Sequence, residues 1–187
     1  MRLFKFFKKF KNNIAIIDKE HSDLSYKQII EKTNEIKKKI KRRSLILIVS
    51  ENTIGSLLAY IFCIINNHVG IIVNSKTDKK EIIKIFKNYQ PNYVFLSKKI
   101  KSIFKKNCYE ELSFFDQNII KNKFNVKKKL HSNLSLLLST SGSMGVMKFV
   151  KLSKKNLKYN TNSIIKYLNI NSSDSAITNL PISYSYM

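Results

Sequence analysis

Short apolar runs rich in β-branched residues alternate with stretches of helical spacing through the first half of this 187-residue chain. The runs are IAII (14–17), LILIV (45–49), GIIV (70–73) and YVFL (93–96). Runs of this length suit buried strands, and strands separated by helices build parallel sheets with helices on their faces. The pattern therefore predicts an α/β fold with a parallel-rich sheet flanked by helices.

Capping residues indicate where the intervening helices begin. Ser25, with Gln28 three residues later, is typical of a capping box at a helix start. A second helix is predicted from about Thr53 to Asn66, and its apolar stretch is too short to cross a membrane, which takes about 20 residues. A third helix begins at Asp78 and stops before Pro91. All three are predicted to pack on the sheet.

The second half of the sequence is less regular. Residues 98–129 predict only one short strand or helix, around Tyr109–Phe115. Further on, Ser153 is predicted to cap a helix with one apolar face. AITNLP (176–181) is then predicted as a last strand.

A loop between two predicted strands has the composition of a phosphate-binding loop. LSLLLS (134–139) leads into TSGSMGVMK (140–148), and KFVKLS (148–153) is the second strand. The chain has only four glycines, and two of them lie in this loop. Glycines allow backbone N–H groups to converge, while hydroxyls and a lysine meet the remaining phosphate oxygens. The glycine spacing excludes a Walker A loop, and a simple Ser/Gly turn joining two strands remains the alternative.

The formal net charge of +23 is large enough to suggest nucleic acid or an anionic membrane surface as a partner. Lysines, however, are spread over the polar positions of most predicted helices, which favours a solvated cationic surface. Phe4, Phe7 and Phe10 at the amino terminus share one helical face. We expect this helix to dock on its own domain, with membrane-surface contact through residues 1–12 as the alternative.

The cysteines and histidines do not follow metal-site or redox spacing. Cys63 and Cys108 lie far apart, and His21, His68 and His131 are equally scattered. We therefore expect free thiols in a reducing cytoplasm and no metal site built from these residues.

The loop closely resembles the phosphate loop of the acyl-adenylate-forming superfamily, which includes AMP-binding acyl-CoA synthetases, luciferases and peptide-synthetase adenylation domains. The pattern of that family is approximately T-S-G-[ST]-T-G-x-P-K-x-V. The following sequence, VKLSKKNLKYNTNS and then LPISYSYM, is similar to the family's next strand, long helix and L-P-x-x-aromatic strand end. The upstream order of helix, strand, Asn-containing loop and apolar helix also follows the family. The resemblance thus covers nearly the whole chain.

The resemblance implies a function and a set of site residues. The reaction would be that of an AMP-forming ligase: a carboxylate and Mg-ATP give an acyl-AMP and pyrophosphate. ATP and Mg²⁺ are the implied cofactors, and a carboxylic acid is the implied substrate. Tyr184 falls where an aromatic residue or histidine lines the family's acyl pocket. The positions that wrap the ATP phosphates fall on Thr140, Ser141, Gly142, Ser143, Gly145 and Lys148.

Four positions depart from the family pattern. Met144 stands for a threonine, Met147 for a proline, Phe149 for a common glycine and Met187 for a glycine. Because a thioether does not donate a hydrogen bond, Met144 removes a contact of about 1.5–3 kcal/mol to a phosphate oxygen. Met147 only loosens the backbone of the loop.

Family members are much longer than this chain, which corresponds to their amino-terminal part. By this resemblance, residues 1–130 are expected to form the α/β portion of a partial domain and residues 131–187 the phosphate loop with the following helix and strand. The family's carboxy-terminal domain, with its catalytic lysine, is expected to have no counterpart in this sequence. Three hypotheses follow: part of a ligase completed by a second chain, a non-catalytic remnant of such a gene, or a basic protein that binds nucleic acid or anionic membranes. The acyl substrate is not specified by this part.

Overall fold

Four parallel strands form the centre of the fold. The computed structural model describes residues 2–18, 23–104, 108–124, 129–140 and 147–184. The helices are α1 (Arg2–Lys9), α2 (Tyr26–Lys39), α3 (Ile54–Ile65), α4 (Lys79–Tyr89) and α5 (Lys154–Tyr167). The strands are β1 (Ile14–Ile16), β2 (Leu24–Ser25), β3 (Leu45–Ser50), β4 (Val69–Asn74), β5 (Tyr93–Ser97), β6 (Cys108–Phe114), β7 (Gln117–Asn122), β8 (Leu134–Thr140) and β9 (Lys148–Ser153).

The main sheet has seven strands in the order β6-β7-β5-β3-β4-β8-β9. The neighbouring pairs among β5, β3, β4 and β8 are parallel. An antiparallel hairpin closes each side, with β6 and β7 next to β5 and with β9 next to β8. The α/β class is thus confirmed, and the sheet is parallel at its centre only. The first predicted strand, β1, pairs instead with β2 in a separate two-stranded sheet.

Alternation along the strands divides the core into two layers. Ile46 and Ile48 of β3 pack on the face covered by α2 and α3, whereas Leu47 and Val49 pack on the face covered by α4. β3 is buried along its whole length, as expected for a strand covered on both faces. We refer to these two sides of the sheet as the α3 face and the α4 face.

The predicted helix caps are confirmed. Ser25 and Gln28 form the capping box of α2, and the Thr53 and Asp78 side chains accept backbone N–H groups at the starts of α3 and α4. Ser153 caps α5 and forms a capping box with Asn156. Local sequence therefore determines where these helices begin.

Two sequence predictions need correction. Residues 98–129 hold more structure than one short element, because the 3-10 helix Lys98–Phe104 precedes the whole β6–β7 hairpin. AITNLP (176–181) is not a strand. In the part of the chain that the structure describes, no strand lies beside it to supply hydrogen bonds, and Ile177 is 94% exposed.

The amino-terminal helix α1 docks on its own domain, as predicted. Phe7 is buried, and its ring lies 4.9 Å from the ring of Tyr26 at the start of α2. The side chain of Phe4 lies outside the described residues, and the Phe10 ring packs at a tilt against the Phe6 ring, with 4.7 Å between the ring centres. No helix among the described residues is long and apolar enough to cross a membrane.

Candidate functional site

The predicted phosphate loop begins where β8 ends. Thr140 is the last residue of β8 and Lys148 the first of β9, and the two are cross-strand partners. The Thr140 hydroxyl donates to the Lys148 carbonyl oxygen across 3.4 Å, a long and therefore weak bond. The loop thus lies at the carboxyl edge of the parallel strands, the edge where α/β sheets bind ligands.

Strand alternation fixes the direction of both flanking side chains. Thr140 is two residues beyond Leu138, which packs on the α3 face, so it projects from that same face. Lys148 lies directly opposite Thr140, and partners in an antiparallel pair project to the same side. A hydroxyl and an ammonium group therefore stand together on the α3 face at the ends of the loop.

Two of the departures from the family pattern pack on the opposite side. Met147 and Phe149 are partly buried against the α4 face. The Phe149 ring lies 5.3 Å from the ring of Tyr89 in α4, in an edge-on arrangement. Apolar residues at positions usually held by proline and glycine are thus used to anchor the carboxyl end of the loop.

The loop interior falls outside the described residues. This applies to four predicted phosphate-binding residues and to the departing methionine: Ser141, Gly142, Ser143, Gly145 and Met144. Their role in ATP binding stays a prediction, as does that of Thr140 and Lys148.

The segment that carries Tyr184 is tied to the carboxyl ends of the neighbouring strands. Asn52, just after β3, donates to the Leu180 carbonyl at 3.0 Å and accepts from the Ile182 N–H at 3.2 Å. Asn74, the last residue of β4, donates to the Ser183 hydroxyl at 3.3 Å. Tyr184, 53% exposed, is thereby held above the same sheet edge as the loop.

An open cleft of about 300 Å³ lies on the α3 face, between α3, β8, α5 and the Tyr184 segment. A second hollow of about 280 Å³ includes Thr140 and shares Leu138 and Leu157 with the first. The cleft therefore reaches the strand end at which the loop begins. Its wall consists of Ile16, Asp18, Thr53, Ile54, Leu57, Tyr60, Ile72, Leu136, Leu138, Leu157, Thr161, Thr178, Ile182 and Tyr184.

Sequence reasoning found the loop but missed the residues that position the rest of the site. Asn52 lies just after the buried strand β3 and Asn74 is the last residue of β4, and polar residues at such strand ends were the available signal. Thr53 was predicted only as a helix start. Leu157 belongs to the helix that Ser153 was predicted to cap, and it lines the cleft.

Cys63, His68 and His131 are not among the described residues that line the cleft. Cys63 is a free, buried cysteine, and burial raises the pKa of its thiol. Within the described residues, no group of three His, Cys, Asp or Glu side chains is arranged to hold a metal ion.

Comparison with solved structures identifies proteins that share this fold. MatB from Rhodopseudomonas palustris superposes with a TM-score of 0.77 at 18% identity, covering 98% of this chain and 41% of MatB. The O-succinylbenzoate coenzyme A synthetase MenE from Bacillus subtilis, in complex with AMP, superposes with a TM-score of 0.73 at 14% identity. The match covers 97% of this chain and 49% of MenE. The Vibrio cholerae adenylation domain AlmE, in complex with glycyl-adenosine-5'-phosphate, superposes with a TM-score of 0.74 at 14% identity. The match covers 97% of this chain and 40% of AlmE.

Other structures of these proteins hold nucleotides, namely MatB with ATP and MenE with ATP and a magnesium ion. No family model and no curated protein matches the sequence. The chain spans less than half the length of each of the three structures compared above. The resemblance seen in the sequence is confirmed at the level of the fold: the chain has the fold of the amino-terminal part of the acyl-adenylate-forming enzymes.

Proposed function

We propose that this chain is the amino-terminal part of an ATP-dependent acyl-adenylate-forming ligase, with residues 140–148 as its ATP phosphate loop. The observation that carries the proposal is the pairing of Thr140 with Lys148 at the carboxyl edge of the sheet, both directed to the face that holds the cleft. The shared fold and the glycine-hydroxyl composition between the two residues support it.

The reaction proposed is attack of a substrate carboxylate oxygen on the α-phosphorus of ATP, with pyrophosphate as leaving group and acyl-AMP as product. Charge neutralisation and positioning dominate such a step. Lys148 supplies a positive charge for the β- and γ-phosphates. The long bond from the Thr140 hydroxyl to Lys148 O is weak enough to be exchanged for one to a phosphate oxygen.

Magnesium fits this arrangement as an ion carried by the nucleotide. Mg²⁺ is usually bound through substrate phosphates, water and one or two protein oxygens rather than by a dedicated protein cage. The hydroxyl of Thr140 is a suitable oxygen neighbour. The ion would offset phosphate charge, while the chain's own residues orient the nucleotide.

Complete activity requires polypeptide beyond the region described here, either from a second chain or from a longer product of the same gene. The carboxyl half of α5 supports this part of the proposal, because Ile164, Ile165 and Leu168 are 38–60% exposed on a helix with no buried residue. Apolar patches of this kind mark surfaces that another segment covers. A cytoplasmic location accords with ATP as substrate.

A non-catalytic remnant of such a ligase is the second candidate. The observation that favours it is Met144, which stands where the family places a threonine that donates to phosphate. In this case the fold would persist after nucleotide binding had been lost.

The two candidates differ in ATP binding by the purified chain. We expect weak binding, in the millimolar range, measured by calorimetry or by ³¹P chemical shifts with Mg-ATP. Lys148→Ala should weaken it about 10-fold or more, as expected for loss of one charge-assisted contact. Lys151→Ala is the matched control, since Lys151 lies on the same strand and pairs with Leu137 on the α4 face.

Equal affinity of Lys148→Ala and Lys151→Ala for Mg-ATP would contradict the assignment of the phosphate loop. No Mg-ATP binding at any concentration would favour the remnant. Micromolar affinity would contradict the view that a phosphate loop is present without the rest of the nucleotide pocket.

A further inference from the structure

We propose that the cleft on the α3 face holds the aliphatic chain of a straight-chain carboxylic acid that carries no second charged group. The proposal rests on the ligase function above and names the substrate class of that site. It is argued from the residues that line the cleft, from the strand that leads to Thr140, and from the cleft volume.

The walls of the cleft are mainly aliphatic. Leu136, Leu138 and Ile72 come from the sheet, Leu57 from α3, and Leu157 from α5. The first three are buried core residues, so the floor of the cleft is fixed by the packing of the sheet. A rigid apolar floor favours an apolar ligand group over a polar one.

The polar groups that line the cleft are mostly uncharged hydroxyls. They belong to Thr53, Tyr60, Thr161, Thr178 and Tyr184. Burial raises the pKa of Tyr60, which keeps that hydroxyl neutral. Among the described lining residues there is no lysine or arginine, and Asp18 is the sole acidic one. A second carboxylate on the substrate would meet no cation among the described residues that line the cleft.

Strand geometry gives the direction of the bound acid. Leu136, Leu138 and Thr140 follow one another at every second position on one face of β8. Each two-residue step along a strand spans about 7 Å. An alkyl chain packed on the two leucines, with its carboxylate at the Thr140 end, therefore reaches the point where the proposed phosphate loop begins.

The cleft volume is that of a small-ligand site. About 300 Å³ lies at the lower end of the range for small-molecule pockets. We therefore expect a short or medium aliphatic chain rather than a long one.

The test is a titration of the purified 187-residue chain, labelled with ¹³C at its methyl groups, with butanoate, hexanoate, octanoate and decanoate. Affinity should rise about fourfold per methylene, the ratio that corresponds to roughly 0.8 kcal/mol. The shifted methyl signals should include those of Leu138 and Leu157. Butanoate controls for attraction of any carboxylate to the cationic surface. Octanedioate, which adds the second carboxylate, should bind no better than butanoate.

Two variants that fill the cleft test its location. Thr161→Trp and Thr178→Trp place an indole in the opening from two different segments, and each should weaken octanoate binding at least 10-fold. Asn162→Trp, the next residue on the exposed surface of α5, is the control and should bind octanoate like the parent. Unchanged binding in both threonine variants would overturn the proposal, and so would an affinity independent of chain length.

Failure of the acid-binding proposal can be distinguished from failure of the proposed ATP binding. Octanoate titrations contain no nucleotide, so they report on the cleft independently of Mg-ATP binding. Octanoate binding without Mg-ATP binding would retain the cleft assignment and reject the phosphate loop. Mg-ATP binding without length-dependent acid binding would retain the phosphate loop and reject the cleft assignment.

Discussion

Thr53 and Asp116 are joined by a hydrogen bond of 2.9 Å, in which the Thr53 hydroxyl donates to Asp116 Oδ2. Thr53 caps the amino end of α3, and Asp116 lies at the tip of the β6–β7 hairpin. The hairpin carboxylate thus lies at the end of α3 whose unpaired N–H groups favour negative charge. Gly55 permits this approach, because a Cβ there would collide with Gln117 Cγ and Asp116 Oδ1.

Gly55→Ala should therefore lower the free energy of unfolding, by about 1–3 kcal/mol through overpacking. At an ordinary helix position the same change raises stability by up to about 1 kcal/mol. The sign of the effect in urea unfolding, followed by circular dichroism, is the measurement. A stabilised variant would mean that the hairpin tip does not pack on α3.

Arg43 joins three segments at the opposite, amino edge of the sheet. Its guanidinium donates at 2.7–3.1 Å to the carbonyl oxygens of Asn67, Leu130, His131 and Leu134. Arg43→Ala should cost about 2–4 kcal/mol of unfolding free energy, because several charge-assisted bonds are lost together. Arg42→Ala removes the same charge from an exposed neighbour and is expected to change stability by less than about 0.5 kcal/mol. Similar losses in both variants would argue against the Arg43 contacts.

His68 makes stability depend on pH. Burial, and then the positive charges of Arg43 and Lys37, lower the pKa of His68 to about 4. Its Nδ1 accepts the Ser44 backbone N–H at 3.2 Å, and its ring stacks on Phe62 at 4.8 Å. The unfolded chain keeps a histidine pKa of about 6.5 and so binds more protons between these values. The contribution of His68 is therefore complete above pH 6.5 and is lost as the pH falls toward 4, by at most about 1.4 kcal/mol per pH unit.

The test compares the parent chain with His68→Gln at pH 7 and pH 4.5. The parent should lose about 2 kcal/mol more than the variant over this interval, after the change common to both proteins is subtracted. The comparison removes the effect of carboxylates that titrate in the same range. Equal losses would mean that His68 is protonated in the folded chain.

Asn52 holds the Tyr184 segment through two hydrogen bonds, as donor to Leu180 O and acceptor from the Ile182 N–H. Asn52→Ala should speed amide exchange of Ile182 at least 10-fold, because that N–H loses its partner and the segment opens locally. Global stability should fall by only about 1 kcal/mol. The control is Asn162→Ala on α5, which should leave exchange at Ile182 unchanged.

Local signals in the sequence predicted the helix starts and the central strands because each depends on a few neighbouring residues. Ser25 and Gln28 form their capping box within one turn, and β3 is apolar at nearly every position. β7 escaped prediction because its buried Gln117 and Asn118 have the composition of a loop. The Gln117 amide is placed by a contact distant in sequence, the 3.5 Å approach of its Nε2 to the Ser56 hydroxyl in α3.

In the candidate site, too, features set by neighbouring residues were predicted and features set by distant contacts were not. The loop was predicted from residues that are adjacent in sequence, whereas the cleft combines positions from Ile16 to Tyr184. AITNLP has the composition of a strand, but a strand also needs a hydrogen-bonding neighbour, which sequence composition does not reveal. The side-chain directions of Thr140 and Lys148 followed only once their register was known.

The purified chain is expected to show no carboxylate-dependent ATP–pyrophosphate exchange, even with octanoate and Mg-ATP at saturating concentrations. It spans less than half of MatB, MenE and AlmE, and under the proposed function the contacts that fix the base and ribose come from additional polypeptide. Without those contacts the carboxylate and the α-phosphorus are not held in line, and most of the rate gain from positioning is lost. The assay measures incorporation of labelled pyrophosphate into ATP, with an intact acyl-CoA synthetase and its own substrate as positive control. Exchange above background that disappears in Lys148→Ala but persists in Lys151→Ala would show that this chain alone forms an adenylate, and the requirement for further polypeptide would then be wrong.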